Sequence, residues 1–109
     1  MPRRPRPDPL AKRVGARIRE LRQEAGLTLE KLAYESELGS KGHLSDLEHG
    51  LAVPNVRTLH KLADHLGVRL LDLLTFPDQD KRQRLIDRTR TMSSEALDRL
   101  LKEAQRGGG

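Results

Sequence analysis

Cysteine and tryptophan are absent from this chain of 109 residues, and it holds a single Phe and a single Tyr. Without cysteine there is neither a disulfide framework nor a thiolate zinc site. With aromatics at 2% and no β-branched runs, a sheet has little to pack with. The core therefore falls to Leu, Ile, Val and Ala in a small all-α bundle. Long hydrophobic runs are missing too. No apolar stretch approaches the roughly 20 residues that a membrane span needs. The basic N-terminus lacks the apolar segment of a signal peptide, so the expected location is the cytoplasm. Catalytic constellations are also lacking: there is no Ser-His-Asp order, no Gly-rich phosphate loop and no supported carboxylate pair. Short helices offer little concavity for a substrate, so the chain reads as a non-enzyme with no cofactor and no metal.

Charge, by contrast, is abundant and unevenly placed around a formal net of +5. Residues 1–24 hold eight Arg/Lys against three acids, residues 25–75 five against seven, and residues 76–109 eight against six. The basic footprint expected of a polyanion binder thus lies near the N-terminus, ahead of a slightly acidic middle. The length leaves room for one domain and a short appendage.

Residues 1–8 begin MPRRPRP, a Pro- and Arg-rich run that cannot be helical and is expected to be a flexible basic arm. Asp8-Pro9 is a helix start, an N-cap carboxylate before Pro at the first helical position. Leu10, Val14, Ile18, Leu21 and Ala25 then share one face, and Gly26 supplies the stop. Thr28 caps a short second helix, to about Ser36, with Leu29, Leu32 and Ala33 inward. After a turn at Glu37, Leu38 and Gly39, Ser40 caps a third helix that buries Leu44 and Leu47 and ends at Gly50. The loop Leu51-Ala52-Val53-Pro54 leads to Asn55, which caps a fourth helix carrying Val56, Leu59, Leu62, Ala63 and Leu66 up to Gly67. Leu70 to Leu74 make a short fifth helix, and Phe76-Pro77 close a unit over residues 9–77. Residues 78–106 are expected to add one or two helices. The last is capped by Ser93 or Ser94 and carries Ala96, Leu97, Leu100, Leu101 and Ala104 on one stripe. Residues 107–109, three glycines, are expected to be a disordered tail.

Two short helices joined by a tight turn, inside a five-helix unit, form the helix-turn-helix pattern. Several stretches carry a more specific likeness: Gly15-x-x-Ile18-x-x-Leu21-Arg22, Gly26-Leu27-Thr28-x-x-x-Leu32-Ala33 and Ser40-Lys41-x-x-Leu44-Ser45-x-Leu47-Glu48-x-Gly50. Pro54-x-x-x-Thr58-Leu59-x-x-Leu62-Ala63 and Leu66-Gly67-Val68 follow in order. In these pieces the chain resembles the XRE family of Cro/repressor-type, lambda-repressor-like helix-turn-helix proteins. The resemblance implies a recognition helix starting after Ser40, with Lys41, Gly42, His43 and Asp46 facing the bases. Lys41 would donate to guanine, Asp46 accept from cytosine, and Gly42 let the backbone approach. Thr28, Ser40 and Ser45, with Arg3, Arg4 and Arg6 of the arm, would contact the DNA backbone. Arg22 and Glu48 would form a structural salt bridge between the first and third helices. The implied partner is double-stranded DNA, bound as a homodimer on a pseudo-palindromic operator, with Leu97, Leu100, Leu101 and Ala104 pairing the copies.

This chain also departs from the family pattern. Leu29 stands where many members have Gln, the loop Leu51-Ala52-Val53 is apolar rather than basic, the turn after the second helix is longer, and Asp46 adds negative charge. Two alternatives therefore stay open: an antitoxin-like regulator with a protein partner at its C-terminal segment, or a protein-interaction module that has lost DNA binding. The latter would use an apolar patch at Leu29 and residues 51–53. His60 and Asp64, four apart, read as an exposed, locally bonded face.

Overall fold

The computed structural model describes residues 5–107. Seven helices follow one another, with no strand among the described residues: α1 (Pro9–Glu24), α2 (Leu29–Glu35), α3 (Lys41–Glu48), α4 (Val56–Leu66), α5 (Leu70–Leu73), α6 (Lys81–Thr89) and α7 (Ser94–Arg106). Local chemistry sets most starts. The side chains of Asp8, Thr28, Ser40, Asn55, Asp80 and Ser93 each accept a hydrogen bond from a backbone N–H one turn on. At the other end of α1 and α3, Gly26 and Gly50 adopt positive φ and let the following N–H reach back to the carbonyls of Arg22 and Asp46.

One core joins α1 to α5. Val14, Ile18, Leu21, Leu32, Leu44, Leu47, Leu62 and Leu73 form its centre, and six of these are fully inaccessible. The inward face of α1 differs from the spacing expectation. Leu10 is 60% exposed and Ala25 is exposed, while Ala11, Gly15 and Arg17 are buried in their place. Val56 also faces solvent. In each case packing against a neighbouring helix, rather than the local repeat, decides which side turns in.

The loop after α3 is likewise not an apolar patch. Ala52 is 1% exposed and belongs to the core, Leu51 is half-buried, and only Val53 is turned out. Leu29 packs against the same core. Of the apolar patch expected at Leu29 and residues 51–53, Val53 alone is exposed, and the rest is wholly or partly covered.

The C-terminal third is built differently. Neither α6 nor α7 has a buried residue. Polar bonds attach α6 instead: Arg17 of α1, itself 3% exposed, donates Nε to the Asp72 carbonyl at 2.9 Å and pairs with Glu20 and with Asp87 of α6. Arg90 joins Asp87 at 3.1 Å and Glu24 of α1 at 3.0 Å. Partial burial would push the Asp87 carboxyl up, but Arg17 and Arg90 outweigh it and hold it below the usual carboxylate range. On Arg90, the hydrogen bonds it donates to Glu24 and then to Asp87 shift the guanidinium up, against partial burial. Gly107, expected in the tail, closes α7 by donating its N–H to the Glu103 carbonyl. Among the described residues no helix is long and apolar enough to cross a membrane.

Candidate nucleic-acid interface

The short helix α3 is fastened at its C-terminal end. Gly15 lies so close under it that a Cβ there would sit 2.2 Å from the Leu47 carbonyl oxygen. Gly50, at φ +75°, sits against Lys12 in the same way, and the Asp8 N–H donates to the Gly50 carbonyl at 3.1 Å. Arg22 then clasps Glu48 with two bonds, Nε to Oε2 at 2.7 Å and Nη2 to Oε1 at 3.1 Å. Its third arm donates to the Leu27 carbonyl at 2.9 Å, so one guanidinium ties α1, the α1–α2 turn and α3 together. Glu48 is nearly inaccessible, and a fork-to-fork pair of this kind fixes direction as well as distance.

The N-terminal end of α3 is open. Ser40 Oγ accepts from the His43 N–H at 3.1 Å, and Ser40, Lys41 and Gly42 are exposed. A Cβ on Gly42 would meet nothing closer than Ser40 Oγ at 4.0 Å, so that position has no packing need for glycine. His43, Ser45 and Asp46 are half-buried along the same helix. Ser45 Oγ lies 3.5 Å from His49 Nδ1. Thr28 Oγ1 accepts from the Lys31 N–H at 3.1 Å at the start of α2. The turn before α3 includes Glu37 at φ 58°. Its N–H and that of Leu38 reach back to the carbonyls of Tyr34 and Ala33, a helix end usually given to glycine.

Of the expected site residues, the structure gathers Ser40, Lys41, Gly42 and His43 on one turn. Arg6 is exposed ahead of α1, and Arg3 and Arg4 lie outside the described residues. Leu97, Leu101 and Ala104 are exposed on α7, with Leu100 half-buried. His60 and Asp64 face each other at 3.8 Å in the open.

Two neighbours of this turn escaped the sequence reading. Tyr34 is 86% exposed on α2, beside the start of α3, and a large aromatic left to water was its only signal. Glu30 pairs with Lys41 at 2.7 Å, a partnership across eleven residues that no local spacing announces.

Comparison with known proteins settles the family. The helix-turn-helix domain profile matches residues 13–76, more than half of the chain. The chain belongs to the XRE-type helix-turn-helix family. Among XRE-type relatives, it is 47% identical over 58 residues to the HTH-type transcriptional regulator DdrOP3 of Deinococcus deserti. That match spans 53% of this chain but only 44% of the relative's length. It is 41% identical over 70 residues to the uncharacterized HTH-type transcriptional regulator y4dJ of Sinorhizobium fredii, covering 64% of this chain and 90% of that one. Among solved structures, the clp gene regulator ClgR of Corynebacterium glutamicum superposes with a TM-score of 0.59 at 30% identity, over 92% of this chain and 97% of that one. The SinR protein/SinI protein complex gives 0.62 at 25% identity, over 88% and 99%. Both structural matches extend well beyond the five-helix unit.

Proposed function

We propose that this protein is a sequence-specific, DNA-binding transcription regulator that binds a pseudo-palindromic operator as a homodimer in the cytoplasm. The observation that carries the reading is the posture of α3: clasped to α1 through Arg22 and Glu48 at one end, and presenting Ser40, Lys41 and Gly42 to solvent at the other. A reader helix needs that asymmetry, since its N-terminal turn enters the major groove while the rest keeps the approach angle. Lys41, His43 and Asp46 are the base-reading side chains, and Gly42 gives the backbone room. Thr28, Ser40, Ser45 and Arg6 contact phosphates, joined by Arg3 and Arg4. One such helix covers few base pairs, so pairing two copies raises both affinity and specificity. The uncovered Leu97, Leu101 and Ala104 on α7 are the surface for that pairing.

Anisotropy of a labelled duplex carrying the gene's own upstream region, against a scrambled duplex over a salt series, tests the reading. Tight, sequence-dependent binding whose log K falls steeply with log salt supports it. Equal, weak binding to both duplexes that vanishes near physiological salt, repeated on a genomic pool, would overturn it.

A protein partner at the C-terminal segment is the second reading. The bare apolar stripe of α7 favours it, and the SinR match is to a chain solved in complex with SinI.

A further inference from the structure

Both lysines of the helix-turn-helix are already engaged within the chain. Lys31 pairs with Glu35 at 4.0 Å along α2, and Lys41 pairs with Glu30 at 2.7 Å across the gap between α2 and α3. The second pair is the closer, and it stands on the turn that meets DNA in the proposed function. Each of its side chains is about 60% exposed, so the pair is reachable and exchangeable. The Lys41 hydrogen bond is the largest influence holding the Glu30 carboxyl below its ordinary range, with the residue's own backbone N–H, the Lys41 charge and the Thr28 hydroxyl adding to it.

An ammonium group has three donors and no acceptor. With one donor given to Glu30, Lys41 can still reach the N7 and O6 of a guanine, acceptors whose partial charges repel the carboxylate far less than a full anion does. A phosphate is different. It would bring a second anion against Glu30, and the pair as a whole offers no net positive charge to release counterions. We infer that Glu30 is a specificity-determining residue, which keeps Lys41 available to base edges while withholding it from phosphates. The inference rests on the DNA-binding reading above.

Glu37 supplies the matched control. It borders the same concavity beside Tyr34 and Lys41, is exposed, and holds no ion pair among the described residues. Removing its charge changes the local field without freeing Lys41. The experiment compares the wild type, E30Q, E37Q, K41Q and E30Q/K41Q by anisotropy over a salt series. The duplexes are the tightest one the wild type selects from a random pool and its scrambled copy, and circular dichroism checks that each variant is folded. E30Q should tighten binding to the scrambled duplex by about two- to fivefold beyond E37Q, the range spanned by exposed ion pairs. Its slope of log K on log salt should steepen by about 0.9, one added phosphate contact, and the ratio of selected to scrambled affinity should fall. In the K41Q background, E30Q should do no more than E37Q does. If E30Q and E37Q behave alike, or if the gain persists without Lys41, the inference is overturned and Glu30 acts only as bulk charge. Failure of every protein, wild type included, to bind any duplex at low salt would instead overturn the DNA-binding reading, and the inference with it.

Discussion

Arg17 and Asp87 stand seventy residues apart in sequence and meet in an ion pair whose guanidinium side chain is 2% exposed. The same guanidinium holds Glu20 and the Asp72 carbonyl, so the joint between α1, α5 and α6 is polar throughout. Replacing Asp87 with Asn leaves Arg17 buried with one charged partner fewer. The expected loss is about 1–3 kcal/mol, read as a lower urea midpoint. An unchanged midpoint would show that the joint contributes nothing to the fold.

The same joint predicts an acid response. Because the folded Asp87 carboxyl is held below its unfolded value, its contribution is complete at neutral pH and is lost as pH falls through the folded pKa. Stability should therefore decline below about pH 4, and D87N should lack part of that decline. Thermal melts of both proteins between about pH 2 and pH 7 compare the two curves. Parallel curves would remove Asp87 from the acid response.

Two glycines should answer to alanine in opposite ways. A Cβ on Gly15 collides with the Leu47 and Glu48 carbonyl groups, which are backbone and cannot step aside. G15A should cost about 2–3 kcal/mol and misalign α3, weakening DNA binding with it. Gly42 faces open space within a helix, so G42A should gain up to about 1 kcal/mol from helix propensity. If the backbone at Gly42 approaches the groove closely, G42A will nonetheless bind DNA less well than the wild type. Wild-type affinity in G42A would refute the close approach.

Glu37 occupies a left-handed position where α1 and α3 have Gly26 and Gly50. E37G should relieve that strain and raise stability by about 1 kcal/mol, seen as a higher melting temperature. No gain would mean that the turn's own bonds already compensate.

Leu101 is 57% exposed in the middle of the α7 stripe. L101E should leave the monomer folded while reducing the mass in light scattering to a single chain, with weaker operator binding in step. A dimer that survives the change would move the pairing surface elsewhere.

The parts of the fold written in local chemistry were legible. Asp8, Thr28, Ser40, Asn55 and Ser93 announce helix starts because a cap acts within one turn of its own residue. Gly26, Gly50 and Gly67 mark the ends for the same reason. What depended on distant partners was not legible. Arg17 reads as a surface charge until Asp87 and the Asp72 carbonyl are placed around it. Ala52 reads as an exposed loop residue until the core closes over it, and Leu10 reads as core until packing turns Ala11 inward instead. The Lys41 position followed from the helix pattern, but its tie to Glu30 appears only once α2 and α3 are folded against each other.

The fastening of α3 gives this helix the mechanics of a cantilever. Its base is fixed by Gly15, Gly50 and the Arg22–Glu48 clasp, while its tip, from Ser40 to Gly42, is exposed and held to α2 through the surface pair of Lys41 with Glu30. The clamped end is buried and bonded to α1, and the other end meets water. In the proposed function, a change of residue at the tip would therefore redirect which bases are met without disturbing the anchorage. A change at the base tilts the whole beam and displaces every contact together.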